Sequence, residues 1–520
     1  MKDSALNSRG WVLLVGMVSL LLCAPFFLTF YALADEGIFL RGAELMLRGK
    51  RLYGDFFEFV PPASFVLMAA WLGVAGISIE SARLLAVLTI VGISCFTFLA
   101  SWRVSRNALL SALLVIGWVM MTQWHFMQIS HHWFTTFFSM VAAWAVIANQ
   151  EQTEPRSLRW PILAGIAAGA ATMTTQTCGA WATLAAATAF FYTGQSRKEL
   201  AAFVSGSALV FAGMLALLIE QHTLVAAFND VILFPLTHYA SIQRVPFGYE
   251  AVVFDLPLKY VFPLAALLLL FVVFRDWRNC LRDRQLRLSA AFALAGFLAC
   301  FPRPDSAHIA YAIPLALPLL ALCAVKLIER LRPISRWVIA AIMILLCTPS
   351  AIGYESSVRA ALQAPIVQTP RGRASFLLYA DGMPELLPIL AKAAPQGDFF
   401  FYPHMPVLSF MSAREHVSKY DIFIPWYTTP AQYQEACLSA VRDASWVVVD
   451  RRYLDYNFFK RTYPAMPSAK PLESIRLEEA LDRAFERVPT KGVFDLRRRR
   501  PDANEDVCDG IAKPDTSQKR

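Results

Sequence analysis

DEGIFLRGAELMLRGKRLYGDFFEFVPP, residues 35–62, stands between two apolar runs, and how it meets the membrane sets the parity of every later segment. Within it Phe39, Ala43, Met46 and Leu47 recur at helical spacing. Arg41, Glu44 and Arg48 take the opposite side, the pattern of a helix lying in a membrane interface. Pro61-Pro62 then opens a short apolar stretch, 61–76, brief against the roughly 20 residues of a span. A membrane is required by the composition: of 520 residues, 57% are hydrophobic and only 17% charged, with mean hydropathy +0.45, against roughly 25% charged in soluble domains.

Spanning runs occur at 11–33, 82–101, 108–124, 133–149, 160–176, 179–194, 199–219, 258–274, 286–302, 308–327 and 335–353. If 61–76 crossed as well, a cytoplasmic N-terminus would put Arg275, Arg278, Arg282, Arg284 and Arg287 outside, against the tendency of Lys and Arg to stay in the cytoplasm. Read as interfacial or re-entrant, 61–76 removes the conflict. The sequence therefore predicts a polytopic α-helical bundle of about eleven spans over residues 1–353, in the inner (cytoplasmic) membrane with its N-terminus cytoplasmic. A soluble extracytoplasmic α/β domain, 354–520, follows, ending in a flexible tail. The formal charge of +9 would suit nucleic acid, but the basic residues punctuate apolar runs as topology signals, so the bilayer is the expected partner and no nucleic acid is. Ala32-Leu33-Ala34 resembles a signal-peptidase site. Its apolar stretch, Trp11 to Leu33, exceeds the roughly 7–15 residues of a signal segment, so it is read as a retained span.

In the C-terminal part, Phe399–Tyr402 and Trp446–Val449 are apolar runs of buried-strand type. Pro430–Arg442 reads as helical, as does the stretch carrying Leu477, Ala480, Leu481, Ala484, Phe485 and Val488. Strand alternating with helix implies a parallel sheet, and Arg497–Arg500 reads as a frayed terminus. Of nine cysteines, only Cys437 and Cys508 lie here, where an oxidising compartment would let them pair.

This topology gathers the unusual polar residues on one face: Asp35-Glu36, Asp55, Glu58, His125, His131-His132, Thr174-Thr175-Gln176, His238-Tyr239 and Arg303-Asp305-His308. Ionisable groups at a membrane boundary are costly, so their clustering points to a site. Asp35 and Glu36, where the first span emerges, suit a base that takes a proton from a hydroxyl, or simply a cap for the helix that follows. With Asp55 they are also the candidates for a divalent Mg or Mn ion held through oxygen. Tyr53 and Asp55, in a dense aromatic run, suit contact with a sugar, although aromatics at this depth also form interfacial belts. Arg303 can clamp a phosphate with Asp305 orienting it and His308 adding a donor, and His131 and His132 join this donor-binding set. No glycine-rich phosphate loop follows a strand, which favours a lipid-borne donor over a nucleotide sugar.

The combination of Asp35-Glu36-Gly37, Ala43, Gly49, Tyr53, Asp55, Pro61-Pro62, Arg83-Leu84 and the Arg303/Asp305/His308 loop resembles the GT-C superfamily of integral-membrane glycosyltransferases, in the branch of the RgtA/B/C/D-like and ArnT-like (PMT-type) enzymes. The resemblance covers about residues 10 to 350. It implies transfer of a sugar from a polyprenyl-phosphate donor to a cell-surface glycan, lipopolysaccharide or protein acceptor on the non-cytoplasmic face, usually with inversion. Asp35 would be the catalytic base and Glu36 its support. The chain departs from the ArnT-like form in having Phe59-Val60 where that form carries a lysine before the prolines. Two other functions fit a polytopic chain. A transporter or flippase would carry internal repeats and midplane charges, neither of which is seen, and a polysaccharide ligase would hold its soluble part in an internal loop.

Overall fold

The computed structural model describes residues 8–30, 35–152, 156–192, 197–249, 256–331, 333–377, 382–392, 398–490 and 492–512. The Ala32-Leu33-Ala34 reading lies outside them. Helix α1 (Ser8–Cys23) leads to strand β1 (Thr29–Phe30), the surface helix α2 (Glu36–Leu47) and the short α3 (Ala63–Ala75). The bundle continues with α4 (Ile79–Ser105), α5 (Ala108–Phe126), α6 (His131–Gln150), α7 (Arg159–Thr174), α8 (Gln176–Tyr192) and α9 (Arg197–Glu220). Next comes an irregular helix: α10 (Leu224–Phe228), two π turns at Asn229–Leu233 and Pro235–Tyr239, and α11 (Ala240–Ile242). Then follow α12 (Leu256–Arg275), α13 (Trp277–Arg282), α14 (Arg284–Ala299), α15 (Ser306–Ile328) and α16 (Pro333–Gln363).

Each expected apolar run contains a helix, although the run 11–33 passes into strand β1 at Thr29–Phe30, and residues 31–33 and 193–194 lie outside the described residues. Among the described residues, six helices are long and apolar enough to cross a membrane on those grounds alone: Ser8–Phe26, α4, α5, α9, Pro257–Arg275 and α15. The thirteen residues of α3 reach about 20 Å, short of a hydrocarbon core of about 30 Å. Side-chain caps fix several helix starts: Ser78 accepts from the Ser81 N–H, Asn107 from Leu110, Ser130 from His132, and Asp305 from His308. At the centre stands α15, 72% buried over its apolar window, with α4 beside it; α9, at 17%, presents apolar residues such as Leu209 outward, as a lipid-facing helix does. Helices α7 and α9 cross at Gly165 and Gly206, where an added Cβ would lie 2.0 Å from the Phe203 carbonyl and 2.5 Å from that of Ile162.

After α16 the chain forms β2 (Ile366–Thr369), β3 (Gly372–Phe376), α17 (Met383–Lys392), β4 (Phe399–Tyr402), α18 (Pro406–Ser412), α19 (Pro430–Asp443), β5 (Trp446–Asp450), α20 (Tyr456–Thr462), α21 (Leu472–Ala484), β6 (Phe485–Val488) and β7 (Phe494–Arg499). One sheet runs β1-β3-β2, so the segment after the first span pairs with the C-terminal part. The other runs β4-β5-β7-β6. In this sheet the expected parallel pairing holds for β4 and β5, while β7 pairs antiparallel with both β5 and β6. Arg497–Arg500 is no frayed end: Arg497 sits buried in β7, paired with Asp482 at 2.6 Å, and Arg497 to Arg499 are taken up by the antiparallel ladder. Phe485 and Val488, expected on a helix, open and close β6. Cys437 and Cys508 form a disulfide between α19 and the 3₁₀ turn Glu505–Cys508.

Candidate active site

Helix α2 departs most from its expected setting. The polar side of this interfacial helix is covered by the C-terminal domain: Arg41 is buried against Asp421, and Glu44 takes both Arg371 and Arg48. At Gly37 the contact is backbone to backbone, since a Cβ there would lie 2.0 Å from the Val407 nitrogen at the start of α18. Residues 404–407 are thereby seated on the first turn of α2.

This seating brings His404 to Asp35. Asp35 occupies the N-cap position of α2 but makes no capping bond with its side chain; Oδ1 instead lies 3.4 Å from His404 Nε2. The Asp35 side chain is 63% exposed, into a cavity, while His404 is buried. Desolvation by the cavity walls raises the Asp35 pKa, and the His404 hydrogen bond together with the nearby His404, His131 and Arg303 outweighs it, so the carboxyl sits below its ordinary value.

Glu36 points the other way. It is fully buried, pairs with Arg83 Nη2 at 3.0 Å and accepts the Ile129 N–H at 3.0 Å. Burial lifts its pKa, an effect that Arg83 and the Ile129 N–H only partly offset. Arg83 also donates to the carbonyls of Met127, at 2.6 Å, and Thr29, and lies 3.7 Å over the Phe30 ring. The adjacent carboxylates thus divide the work: Glu36 bolts α2 to α4 and the loop before α6, and Asp35 faces the cavity.

The cavity holds about 410 Å³ and collects Asp35, His131, His132, Arg303, Asp305 and His308 from three separate segments of the chain. Asp305 bridges the loop before α15, accepting from Arg303 Nε at 2.6 Å and His308 Nδ1 at 2.7 Å while capping α15 through the His308 N–H. Burial opposes the Asp305 charge, but His308 and Arg303 hold its pKa well below the carboxylate range. Arg303 reaches Gln243 and lies 4.7 Å over the Tyr463 ring. The rings of His131 and His132 are 4.0 Å apart and those of His132 and His308 4.8 Å, so imidazoles link the Asp35 side of the cavity to the Asp305 side.

Tyr53 and Asp55 do not reach this cavity. The Tyr53 hydroxyl donates to the Val60 carbonyl at 2.7 Å, and Asp55 closes its own turn on Arg51 at 2.9 Å. The metal candidates do not converge either: Asp35 faces His404, Glu36 faces Arg83 and Asp55 faces Arg51, and among the described residues no three His, Cys, Asp or Glu side chains group around an ion. Thr174, Thr175 and Gln176 are structural. The two threonines bond to Thr135, and Gln176 holds the carbonyls of Phe59 and Val231. Sequence reasoning missed the roof, where His404, Tyr427, Tyr453 and Tyr463 come from the C-terminal domain. The aromatic density of 426–463 was a visible signal, but nothing local tied it to the membrane face.

No protein-family model matches the sequence, and no curated protein is significantly similar to it. Solved structures are similar in fold. The crystal structure of ArnT from Cupriavidus metallidurans bound to undecaprenyl phosphate superposes with a TM-score of 0.53 at 13% identity, covering 96% of this chain and 99% of that one. Its apo state gives 0.53 at 14%, covering 94% and 98%. The arabinofuranosyltransferase AftD from Mycobacteria gives 0.50 at 16% identity over 96% of this chain, which spans 40% of that larger one. The chain therefore has the fold of the GT-C membrane glycosyltransferases that its residues after the first span resemble.

Proposed function

We propose that this chain is a glycosyltransferase of the inner membrane that moves a sugar from a polyprenyl-phosphate donor to an acceptor hydroxyl of a cell-surface glycan, lipopolysaccharide or protein. It would cross the membrane eleven times, with a cytoplasmic N-terminus and an extracytoplasmic C-terminal domain. One observation carries the reading: the Asp35 carboxylate opens into the same cavity as the Arg303–Asp305–His308 cluster, a base and a phosphate clamp facing one space. The acceptor oxygen bonds to the anomeric carbon, its proton passes to Asp35, and the bond from that carbon to the phosphate oxygen breaks with its electron pair on the leaving lipid phosphate. Arg303 and His308 meet the growing phosphate charge. A single displacement of this kind inverts the anomeric centre. His404 keeps Asp35 oriented, and Glu36 with Arg83 fixes the turn that carries it.

Undecaprenyl phosphate bound to ArnT supports the lipid donor, and the Cys437–Cys508 disulfide supports an oxidising, extracytoplasmic compartment for the C-terminal domain. No step is routed through a metal, because the candidate carboxylates are committed to other partners. Mass spectrometry of lipid-linked sugars and surface glycans in cells with and without the protein tests the assignment. Loss of the protein is expected to accumulate one polyprenyl-phosphate sugar and remove one sugar from a surface glycan. Unchanged profiles in both pools would refute it.

A further inference from the structure

A second cavity, of about 400 Å³, lies between the first loop, the irregular helix 224–242 and the C-terminal domain. Both its size and its mixed lining are those of a ligand site. Four Phe and Tyr rings line it: Tyr53 and Phe57 from the loop, Phe234 from the helix and Tyr420 from the C-terminal domain. Polar groups alternate with them, Asn229 and Asp230 on the helix and Lys419 across from it. Lys419 is held by Glu435 at 2.9 Å, whereas the half-buried Asp230 carboxylate makes no hydrogen bond or ion pair among the described residues. Burial pushes the Asp230 pKa up to about 7, against the pull of Lys419.

The backbone is adapted to this lining. Asn229, Leu233 and Thr237, and beside them Asp230, Phe234 and His238, all face the cavity at intervals of four residues. On a regular α-helix that spacing drifts by about 40° per turn. The π turns Asn229–Leu233 and Pro235–Tyr239, on either side of Phe234, widen the helix where it lines the cavity. Such turns are rare and concentrate at functional sites. Phe234 packs 5.0 Å from both Phe57 and Tyr427, and Tyr427 lines the Asp35 cavity, so the two cavities share an aromatic wall.

We infer that this second cavity binds a pyranose unit of the acceptor, a neutral or amino sugar, by stacking the C–H face of the ring on the aromatic side chains while Asp230 and Asn229 take its hydroxyls. The proposal rests on the glycosyltransferase reading for its acceptor role. Ring faces combined with a carboxyl group that can accept from or donate to hydroxyls suit a polyhydroxylated ring, and its ionised form disfavours a uronic acid.

Saturation-transfer NMR on the full-length protein in lipid nanodiscs, with maltose, chitobiose and digalacturonate as probes, tests this. Saturation is expected on ring protons of maltose or chitobiose and not of digalacturonate. Asp230→Asn and Asn229→Ala are expected to weaken that binding at least fivefold without shifting the melting temperature, while Asp35→Asn leaves it unchanged. Absence of transfer to all three probes, preference for digalacturonate, or unchanged binding in folded Asp230→Asn and Asn229→Ala would overturn the inference. Because binding is read without turnover, that failure stands apart from a failure of the glycosyltransferase reading, which is judged by transfer from a lipid donor.

Discussion

Replacing Arg83 by Met keeps the length and apolar bulk of the side chain and removes every polar contact it makes. Both Arg83 and Glu36 are 0% exposed. Breaking a buried pair from one side leaves a charge without compensation, at a cost of about 3–5 kcal/mol. The carbonyls of Met127 and Thr29 also lose a donor, each worth about 1–3 kcal/mol when orphaned. These costs overlap, because a neutralised Glu36 retains the Ile129 N–H and the structure relaxes, so the expected loss is about 4 kcal/mol, a large share of the roughly 5–15 kcal/mol that stabilises a fold. Thermal unfolding in detergent, followed by the loss of the monodisperse peak in size-exclusion chromatography, measures it. Arg83→Met with Glu36→Gln should recover about 2 kcal/mol of the single-mutant loss, since an amide tolerates burial better than an unpaired carboxylate. A single mutant within about 1 kcal/mol of wild type, or a double mutant worse than the single one, would refute the reasoning that Glu36 is a structural bolt.

Gly37→Ala places a Cβ against the backbone of Pro406 and Val407, so it should cost about 1–3 kcal/mol of overpacking and lower turnover more than acceptor affinity as His404 is lifted from Asp35; steady-state kinetics with limited proteolysis of the C-terminal domain checks this. Arg303→Lys keeps the charge but loses the planar fork between Asp305, Gln243 and Tyr463, and transfer should fall about 100-fold, read from initial rates. His416 receives the Phe401 N–H on Nδ1 and donates from Nε2 to the Tyr420 carbonyl, so it has no place for a second proton; burial and then Arg41 lower its pKa to about 4. As pH falls from 6.5 towards 4 the unfolded chain takes up a proton that the fold refuses, so stability should drop by about 3 kcal/mol across that window, and His416→Gln should flatten the melting temperature against pH.

What could be read in the sequence follows from what local pattern encodes. Apolar runs located the helices because burial in lipid demands them, and the brevity of 61–76 set it apart. Asp35 and the Arg303 loop could be placed together because charge asymmetry fixes which helix ends share a face. The pattern of α2 gave its two sides correctly, but periodicity says which side is polar and not what covers it, and Arg41 and Glu44 are covered by residues more than three hundred positions away. For the same reason Glu36 looked like a second catalytic acid until its partner, Arg83, appeared on another helix. Arg497 looked frayed because a basic run carries no sign of the antiparallel partners that bury it. His404 had no local signature at all.

The central claim is that Asp35 takes the acceptor proton in a cavity that also holds the donor phosphate. Asp35→Asn keeps the shape of the side chain and removes its basicity, so sugar transfer from a polyprenyl-phosphate donor, measured on purified protein in proteoliposomes, should fall by about 100- to 10,000-fold with folding and membrane insertion intact. Transfer by Asp35→Asn within a few-fold of wild type would contradict the account.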